Sequence, residues 1–129
     1  MVSPLDFSKK IILIVEDDEV SYSLLEALLK LKGMKCIGVK NGKEAVEYCQ
    51  NPNQIDLILM DIKMPEMNGY EATRLIKKIR PELPIIAQTA YAIPGDEDKI
   101  LEAGCLAYIT KPILKEELYE KMIACLGKN

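Results

Sequence analysis

Five short runs of strand-forming apolar residues alternate with segments of helical periodicity along this chain. The strand-like runs occupy residues 11–15, 34–39, 55–60, 85–89 and 105–110. Helical patterns follow them, beginning at about residues 19, 41, 68, 95 and 115. Strands that alternate with helices in this way form parallel sheets through right-handed crossovers. The runs are apolar on both sides of the strand alternation, so we expect an α/β domain whose sheet is covered on both faces.

Capping signals predict where several of the helices begin and end. Asn41 and Asn68 each stand three residues before a glutamate, the capping-box spacing that opens a helix. Gly33 and Gly104 follow helical patterns over residues 19–32 and 95–103, where glycine favours a helix end. The residues predicted to face the core from the second, third and fifth helices are Ala45, Val46, Cys49, Ala72, Leu75, Ile76, Ile79, Leu118, Met122 and Leu126.

Length and composition predict one domain, with residues 1–9 as a lead-in or linker and residues 10–127 as the folded unit. The net charge of −3 argues against direct nucleic-acid binding. The sequence contains neither an apolar run long enough to insert into a membrane nor a signal peptide. The four cysteines are scattered without a C-x-x-C pair, which favours reduced, buried thiols and a cytoplasmic location.

Histidine is absent from the chain. Nucleophile pairs that need an imidazole base are therefore excluded, as are zinc sites that need an imidazole ligand. Any phosphohistidine that this chain reacts with must belong to a partner.

Polar residues stand where the predicted strands end. The carboxyl ends of parallel strands share one edge of the sheet, which is where α/β folds bind ligands. The residues expected at this edge are Glu16, Asp17, Asp18, Asp61, Thr89 and Lys111. Crowded carboxylates repel one another unless a cation is bound among them. Oxygen ligands without histidine or cysteine select Mg²⁺, Mn²⁺ or Ca²⁺, and a site completed by water and a phosphoryl oxygen suits Mg²⁺ best.

Several of these residues also have a purely structural explanation. Asp18 and the following Glu19 would complement the dipole of the first helix. Thr89 would be an ordinary β-branched strand residue. Lys111 would be a solvated loop lysine, although Pro112 after it restricts its backbone. The sequence pattern alone leaves these alternatives open.

Asp61 stands seven residues before the capping Asn68 and so does not cap that helix. Aspartate can attack phosphorus and form an acyl phosphate. A cation and a lysine would then stabilise the charge on the transferred group, and the Thr89 hydroxyl could donate to one of its oxygens. The predicted chemistry at this edge is therefore phosphoryl transfer to Asp61.

Four segments in chain order resemble the response-regulator receiver domain of bacterial two-component signalling: residues 11–18, residues 60–69, Thr89-Ala90 and Lys111-Pro112. The resemblance covers about residues 10–126. It implies a flavodoxin-like three-layer fold with the strand order 2-1-3-4-5. It also implies a phosphorelay protein that is not an enzyme, apart from a magnesium-dependent self-phosphorylation and a slow autodephosphorylation at Asp61.

The same resemblance implies a role for each residue of the site. Asp61 would accept a phosphoryl group from a histidine kinase or a histidine phosphotransfer domain. Lys111 would pair with the phosphoryl oxygens, and the Lys111-Pro112 peptide bond would be cis. Thr89 and Tyr108 would act as the switch. Phosphorylation would change the surface formed by the fourth helix, fifth strand and fifth helix, with possible homodimerisation there. The implied Mg²⁺ ligands are Asp17, Asp61, the backbone carbonyl of Lys63 and, through water, Glu16.

Three other functions have to be weighed against this one. A magnesium-dependent aspartyl-phosphate phosphatase would carry Asp-x-Asp after the first strand, but Glu16 occupies the first of those positions. A receiver fold that has lost phosphorylation would not be expected to retain Asp17, Asp61, Thr89 and Lys111. A flavin carrier of similar topology would need a phosphate-binding loop where this chain has carboxylates.

Overall fold

The computed structural model describes residues 8–63, 67–90 and 96–126. The strands are β1 (Ile11–Val15), β2 (Lys35–Val39), β3 (Leu57–Asp61), β4 (Ile85–Thr89) and β5 (Ala107–Thr110). The helices are α1 (Glu19–Lys30), α2 (Gly42–Gln50), α3 (Gly69–Ile79), α4 (Asp96–Ala103) and α5 (Lys115–Leu126). The predicted alternation of strand and helix is thus confirmed.

All five strands pair in parallel, in the order β2-β1-β3-β4-β5. This confirms the flavodoxin-like order 2-1-3-4-5. Alternate strand residues enter two separate cores, one on each face of the sheet. Leu13, Val15, Ile58 and Met60 face one core together with buried residues of α2 and α3. The opposite core contains Ile12, Ile14, Leu25, Leu29, Leu57, Leu59, Ile86, Ile109, Leu118 and Met122, the last two from α5.

Gly33 and Gly104 end their helices as predicted. Both have a positive φ, 79° and 117°, which glycine adopts without a steric penalty. The Gly33 amide donates to Lys30 O and the Met34 amide to Leu29 O, the paired hydrogen bonds of a Schellman motif. The same pair recurs after α4, where Gly104 N donates to Leu101 O and Cys105 N to Ile100 O.

The two Schellman motifs explain three of the boundaries that were predicted wrongly. Cys105 and Met34 donate to the preceding helix, so β5 and β2 begin later than predicted, at Ala107 and Lys35. For the same reason α1 ends at Lys30 rather than at residue 32. The third strand is displaced to Leu57–Asp61, which makes the strand-end carboxylate the last residue of the strand itself.

Most of the predicted inward positions are confirmed, but Ile79 is wrong. Ile79 is the last residue of α3 and is 41% exposed. Thr73 is buried instead, within 3.8 Å of the buried Cys105 thiol, because α3 packs against α4 as well as the sheet. Leu75 and Leu126 are only partly buried.

The four cysteines are free thiols, with Cys49 and Cys105 buried and the other two half-buried. Most of the predicted lead-in, residues 64–66 of the loop after β3 and the predicted helix start at residue 95 lie outside the described residues. No helix in the described ranges has the length and apolar character needed to span a membrane.

Arg80, directly after α3, joins this helix to the end of α2. Its Nε donates to Cys49 O at 3.1 Å, and its Nη2 donates to Asn51 O. These carbonyls belong to the last turn of α2 and the residue after it, where backbone oxygens lack partners within the helix.

Replacing Arg80 by methionine should lower the free energy of unfolding by about 1–2 kcal/mol, because two carbonyls lose a charged donor while the aliphatic stem is kept. Urea denaturation would measure it, with Arg74→Met on the exposed face of α3 as the control. Equal stability of the two variants would contradict this role of Arg80.

Candidate phosphoacceptor site

The four consecutive acids after β1 divide into different roles. Asp18 is the N-cap of α1, and its Oδ2 accepts from the Ser21 amide at 2.9 Å and the Ser21 hydroxyl at 2.8 Å. These bonds lower the pKa of Asp18. Glu19 lies in the first turn of the helix. The structural explanation of Asp18 and Glu19 is therefore confirmed, while Glu16 is buried and Asp17 is exposed.

Asp61 is buried at the carboxyl end of β3, with 5% of its surface exposed. Its Oδ1 accepts from the Lys63 amide at 3.2 Å. The backbone around it is packed against the start of α3, because Gly69 N donates to Ile62 O at 2.9 Å. A Cβ at Gly69 would come within 2.5 Å of Asp61 O and 2.7 Å of Ile62 Cα, so only glycine allows this approach. The tight packing fixes where the Asp61 backbone lies.

Lys111 joins the two buried carboxylates. Its Nζ donates to Glu16 Oε1 at 2.9 Å and lies 3.5 Å from Asp61 Oδ2. Lys111 therefore points into the acidic cluster rather than into solvent. The cis Lys111-Pro112 peptide bond that the resemblance implied is confirmed. Burial alone would lower the pKa of Lys111, but the two carboxylates outweigh it and raise that pKa above its usual value.

Glu16, Asp17 and Asp61 each offer a carboxylate oxygen, and these oxygens all lie within 4.8 Å of one another. Three carboxylates face one ammonium group, which leaves an excess of negative charge when all are ionised. A cavity of about 420 Å³ between α1 and the end of β2 opens onto Glu16 and Asp17. Solvent and a hydrated cation can therefore reach the exposed side of the cluster.

The predicted switch residues lie on the other face of the sheet. Thr89 alternates with Ala87, and Tyr108 packs against the same core as Ala87, the core under α2 and α3. Thr89 is buried, and its carbonyl accepts from the Lys111 amide at 2.8 Å. The Tyr108 hydroxyl donates to Glu97 of α4. That hydrogen bond raises the pKa of Tyr108, and burial adds to the effect.

Sequence reasoning missed two residues near the site. Glu97 is the partner of Tyr108, and the helical pattern gives no sign of this contact. Gln88 is fully buried next to Thr89. An amide side chain in the otherwise apolar run of residues 85–87 was the available signal, since buried polar groups need partners.

Burial raises the pKa of Glu16 from 4.5 to about 7, although the hydrogen bond from Lys111 opposes this shift. A carboxyl group whose pKa is raised by folding stabilises the fold most below its unfolded pKa. This contribution is lost as the pH rises from about 4.5 through 7.

Glu16→Gln cannot ionise, so in metal-free solution it should gain stability over the wild type as the pH rises from 5 to 8. We expect a difference on the order of 2 kcal/mol at pH 8, measured by thermal unfolding in EDTA. Glu120→Gln, exposed on α5, is the matched control. A difference between Glu16→Gln and wild type that does not vary with pH would contradict the raised pKa.

Comparisons with known proteins agree with this fold. A family model described as the response regulator receiver domain matches residues 12–123. The polar-differentiation response regulator DivK of Brucella anthropi is 40% identical over 121 residues, covering 92% of this chain and 97% of that protein.

Two solved structures are similar throughout the chain. The receiver domain of the sensor histidine kinase PA1611 from Pseudomonas aeruginosa, with a magnesium ion coordinated in its active-site cleft, has a TM-score of 0.85 and 36% identity. The similarity covers 92% of this chain and 98% of the PA1611 receiver domain. A CheY-like receiver domain protein from Methanospirillum hungatei has a TM-score of 0.85 and 33% identity over 92% and 94% of the two chains.

The parallel sheet, the acidic edge joined by Lys111 and the family match over residues 12–123 lead to one conclusion. This chain belongs to the response regulator receiver domain family of two-component signalling.

Proposed function

We propose that Asp61 of this receiver domain is the phosphoacceptor of a phosphorelay, and that a histidine kinase or a histidine phosphotransfer domain is the donor. The observation that supports this most strongly is the contact of Lys111 Nζ with both Glu16 and Asp61 at the carboxyl edge of the sheet. The 129 residues contain no histidine, so the phosphohistidine must come from another protein or domain.

In the proposed reaction an Asp61 oxygen attacks the phosphorus of the donor. A phosphorus–oxygen bond forms, the phosphorus–nitrogen bond of the phosphohistidine breaks, and the electron pair leaves with the imidazole. The Lys63 amide holds one Asp61 oxygen. Lys111 stabilises the transferred oxygens, because its ammonium group already lies 3.5 Å from Asp61 Oδ2.

The donor set fits Mg²⁺, since the cluster offers only oxygen ligands and carries excess negative charge. Asp17, Asp61 and the Lys63 backbone carbonyl would hold the ion, with Glu16 acting through water. When bound, Mg²⁺ neutralises charge on the transferring phosphoryl group. Glu16 and Asp61 also hold Lys111 in place.

Exposed apolar side chains beside the cluster favour a protein donor over a small substrate. Val20, in the first turn of α1, is 78% exposed. Leu114, three residues after Lys111, is 61% exposed. A surface of this kind next to a reactive group suits a protein partner. The family match gives no support to the phosphatase alternative.

The phosphorylated state would be read out through Thr89 and Tyr108. Thr89 would turn toward the phosphoryl group, and Tyr108 would leave Glu97 and turn inward, which would change the surface of α4, β5 and α5. Homodimerisation through that surface and a cytoplasmic location remain predictions. A slow autodephosphorylation at Asp61 would reset the switch.

Mg²⁺ should raise the melting temperature of the wild type, because binding stabilises the folded state. Asp17→Asn should weaken Mg²⁺ binding about tenfold or more, since an exposed charged ligand is lost without changing the core. Titration calorimetry would measure the affinity, with Asp98→Asn on exposed α4 as the control. Unchanged affinity in Asp17→Asn would contradict the proposed ligand set.

Incubation with Mg²⁺ and acetyl phosphate should add one phosphoryl group to the wild type, detected by intact-protein mass spectrometry. Asp61→Asn keeps the shape of the side chain but removes the nucleophile, so it should gain nothing. Asp56→Asn tests specificity, because Asp56 precedes the same strand and accepts from the Ile11 amide. Phosphorylation of the Asp61→Asn variant would refute the proposed function.

A further inference from the structure

Gln88, in β4, is fully buried, and within the described residues neither its Oε1 nor its Nε2 has a hydrogen-bond partner. Buried side-chain amides are nearly always paired, because leaving one unpaired destabilises the fold. No other buried side-chain nitrogen or oxygen in the described part of the chain lacks a partner. An amide in this state suggests that its partner appears in another state of the protein.

The register of the sheet places Gln88 beside the phosphoacceptor. Its Cα partner on β3 is Asp61, and its Cα partner on β5 is Ile109. Strand alternation puts its side chain on the same face as Ile86, over the core that includes residues of α5. Asp61 alternates with Leu59, which belongs to the same core, so Gln88 and Asp61 are neighbours on one face.

The donors that now serve Asp61 leave room for another. The Lys63 amide bonds to Oδ1 at 3.2 Å. Lys111 Nζ is the donor to Asp61 Oδ2, but this contact is long, at 3.5 Å. The hydrogen bond from the same Nζ to Glu16 Oε1 is shorter, at 2.9 Å. A phosphoryl group brings new anionic oxygens that compete for this ammonium group.

We propose that Gln88 is a positioning residue for Asp61. When a phosphoryl group binds, Lys111 leaves one carboxyl oxygen of Asp61, and Gln88 Nε2 donates a hydrogen bond to that oxygen. This inference rests on the proposed function of Asp61. The unpaired amide destabilises the unphosphorylated state, and the new hydrogen bond stabilises the phosphorylated one. Gln88 therefore shifts the equilibrium toward the phosphorylated state without touching the transferred group.

The test compares wild type with Gln88→Met, which keeps the length of the side chain but cannot form the hydrogen bond. Gln54→Met, at an exposed loop position before β3, is the control. Beryllofluoride with Mg²⁺ serves as the phosphoryl mimic. Three quantities are measured: the melting temperature of each free protein, the affinity for beryllofluoride, and the side-chain amide resonances of Gln88 in nitrogen-15 spectra.

We expect Gln88→Met to raise the melting temperature of the free protein and to weaken beryllofluoride binding at least about fivefold, which corresponds to about 1 kcal/mol. In the wild type, the Gln88 amide resonances should shift on binding and become protected from exchange. A purely structural role would change the stability of both states equally and leave the affinity unchanged.

The outcomes separate this inference from the proposed function. Wild-type binding of beryllofluoride with equal affinity in Gln88→Met, or with unmoved Gln88 amide resonances, would overturn the role of Gln88 alone. Failure of the wild type to bind beryllofluoride at Asp61 would overturn the proposed function, and this inference with it.

Discussion

The bridge from Lys111 to Glu16 and Asp61 is the interaction on which the functional edge of this protein depends. Two carboxylates with almost no exposed surface lie side by side there, an arrangement that would be strongly unfavourable without a nearby cation. Lys111 supplies the positive charge, although it lies 95 positions from Glu16 in the sequence. The order of the strands in the sheet makes this possible, because β1 and β3 are neighbours and β5, parallel to them, ends at the same edge.

The sheet would also separate the proposed phosphoryl chemistry from the proposed readout. Glu16, Asp61 and Gln88 belong by alternation to the face covered by α1 and α5, whereas Thr89 and Tyr108 belong to the face covered by α2 and α3. In β4 the two faces are represented by consecutive residues, Gln88 and Thr89. In the proposed mechanism, a change at Asp61 would reach α4 through the end of β4, where the Lys111 amide donates to Thr89 O.

The sequence predicted the features that depend on local physical rules. Glycines with positive φ end α1 and α4, and strand ends locate Asp61 and Lys111, because these follow from backbone sterics and the alternation of elements. Contacts between segments that are distant in the chain could not be predicted from the sequence. The bond of Tyr108 to Glu97 and the unpaired amide of Gln88 depend on how α4 and the strands pack. The exposure of Ile79 was missed for a similar reason, since helical periodicity does not say where a helix leaves the sheet.

Lys111 should change partners when Asp61 carries a phosphoryl group. A crystal structure of the complex with Mg²⁺ and beryllofluoride measures this most directly. The beryllofluoride should be bonded to an Asp61 oxygen, with Lys111 Nζ on a fluorine and no longer 2.9 Å from Glu16 Oε1. Beryllofluoride bound elsewhere, or a Lys111–Glu16 pair unchanged beside occupied Asp61, would contradict the account.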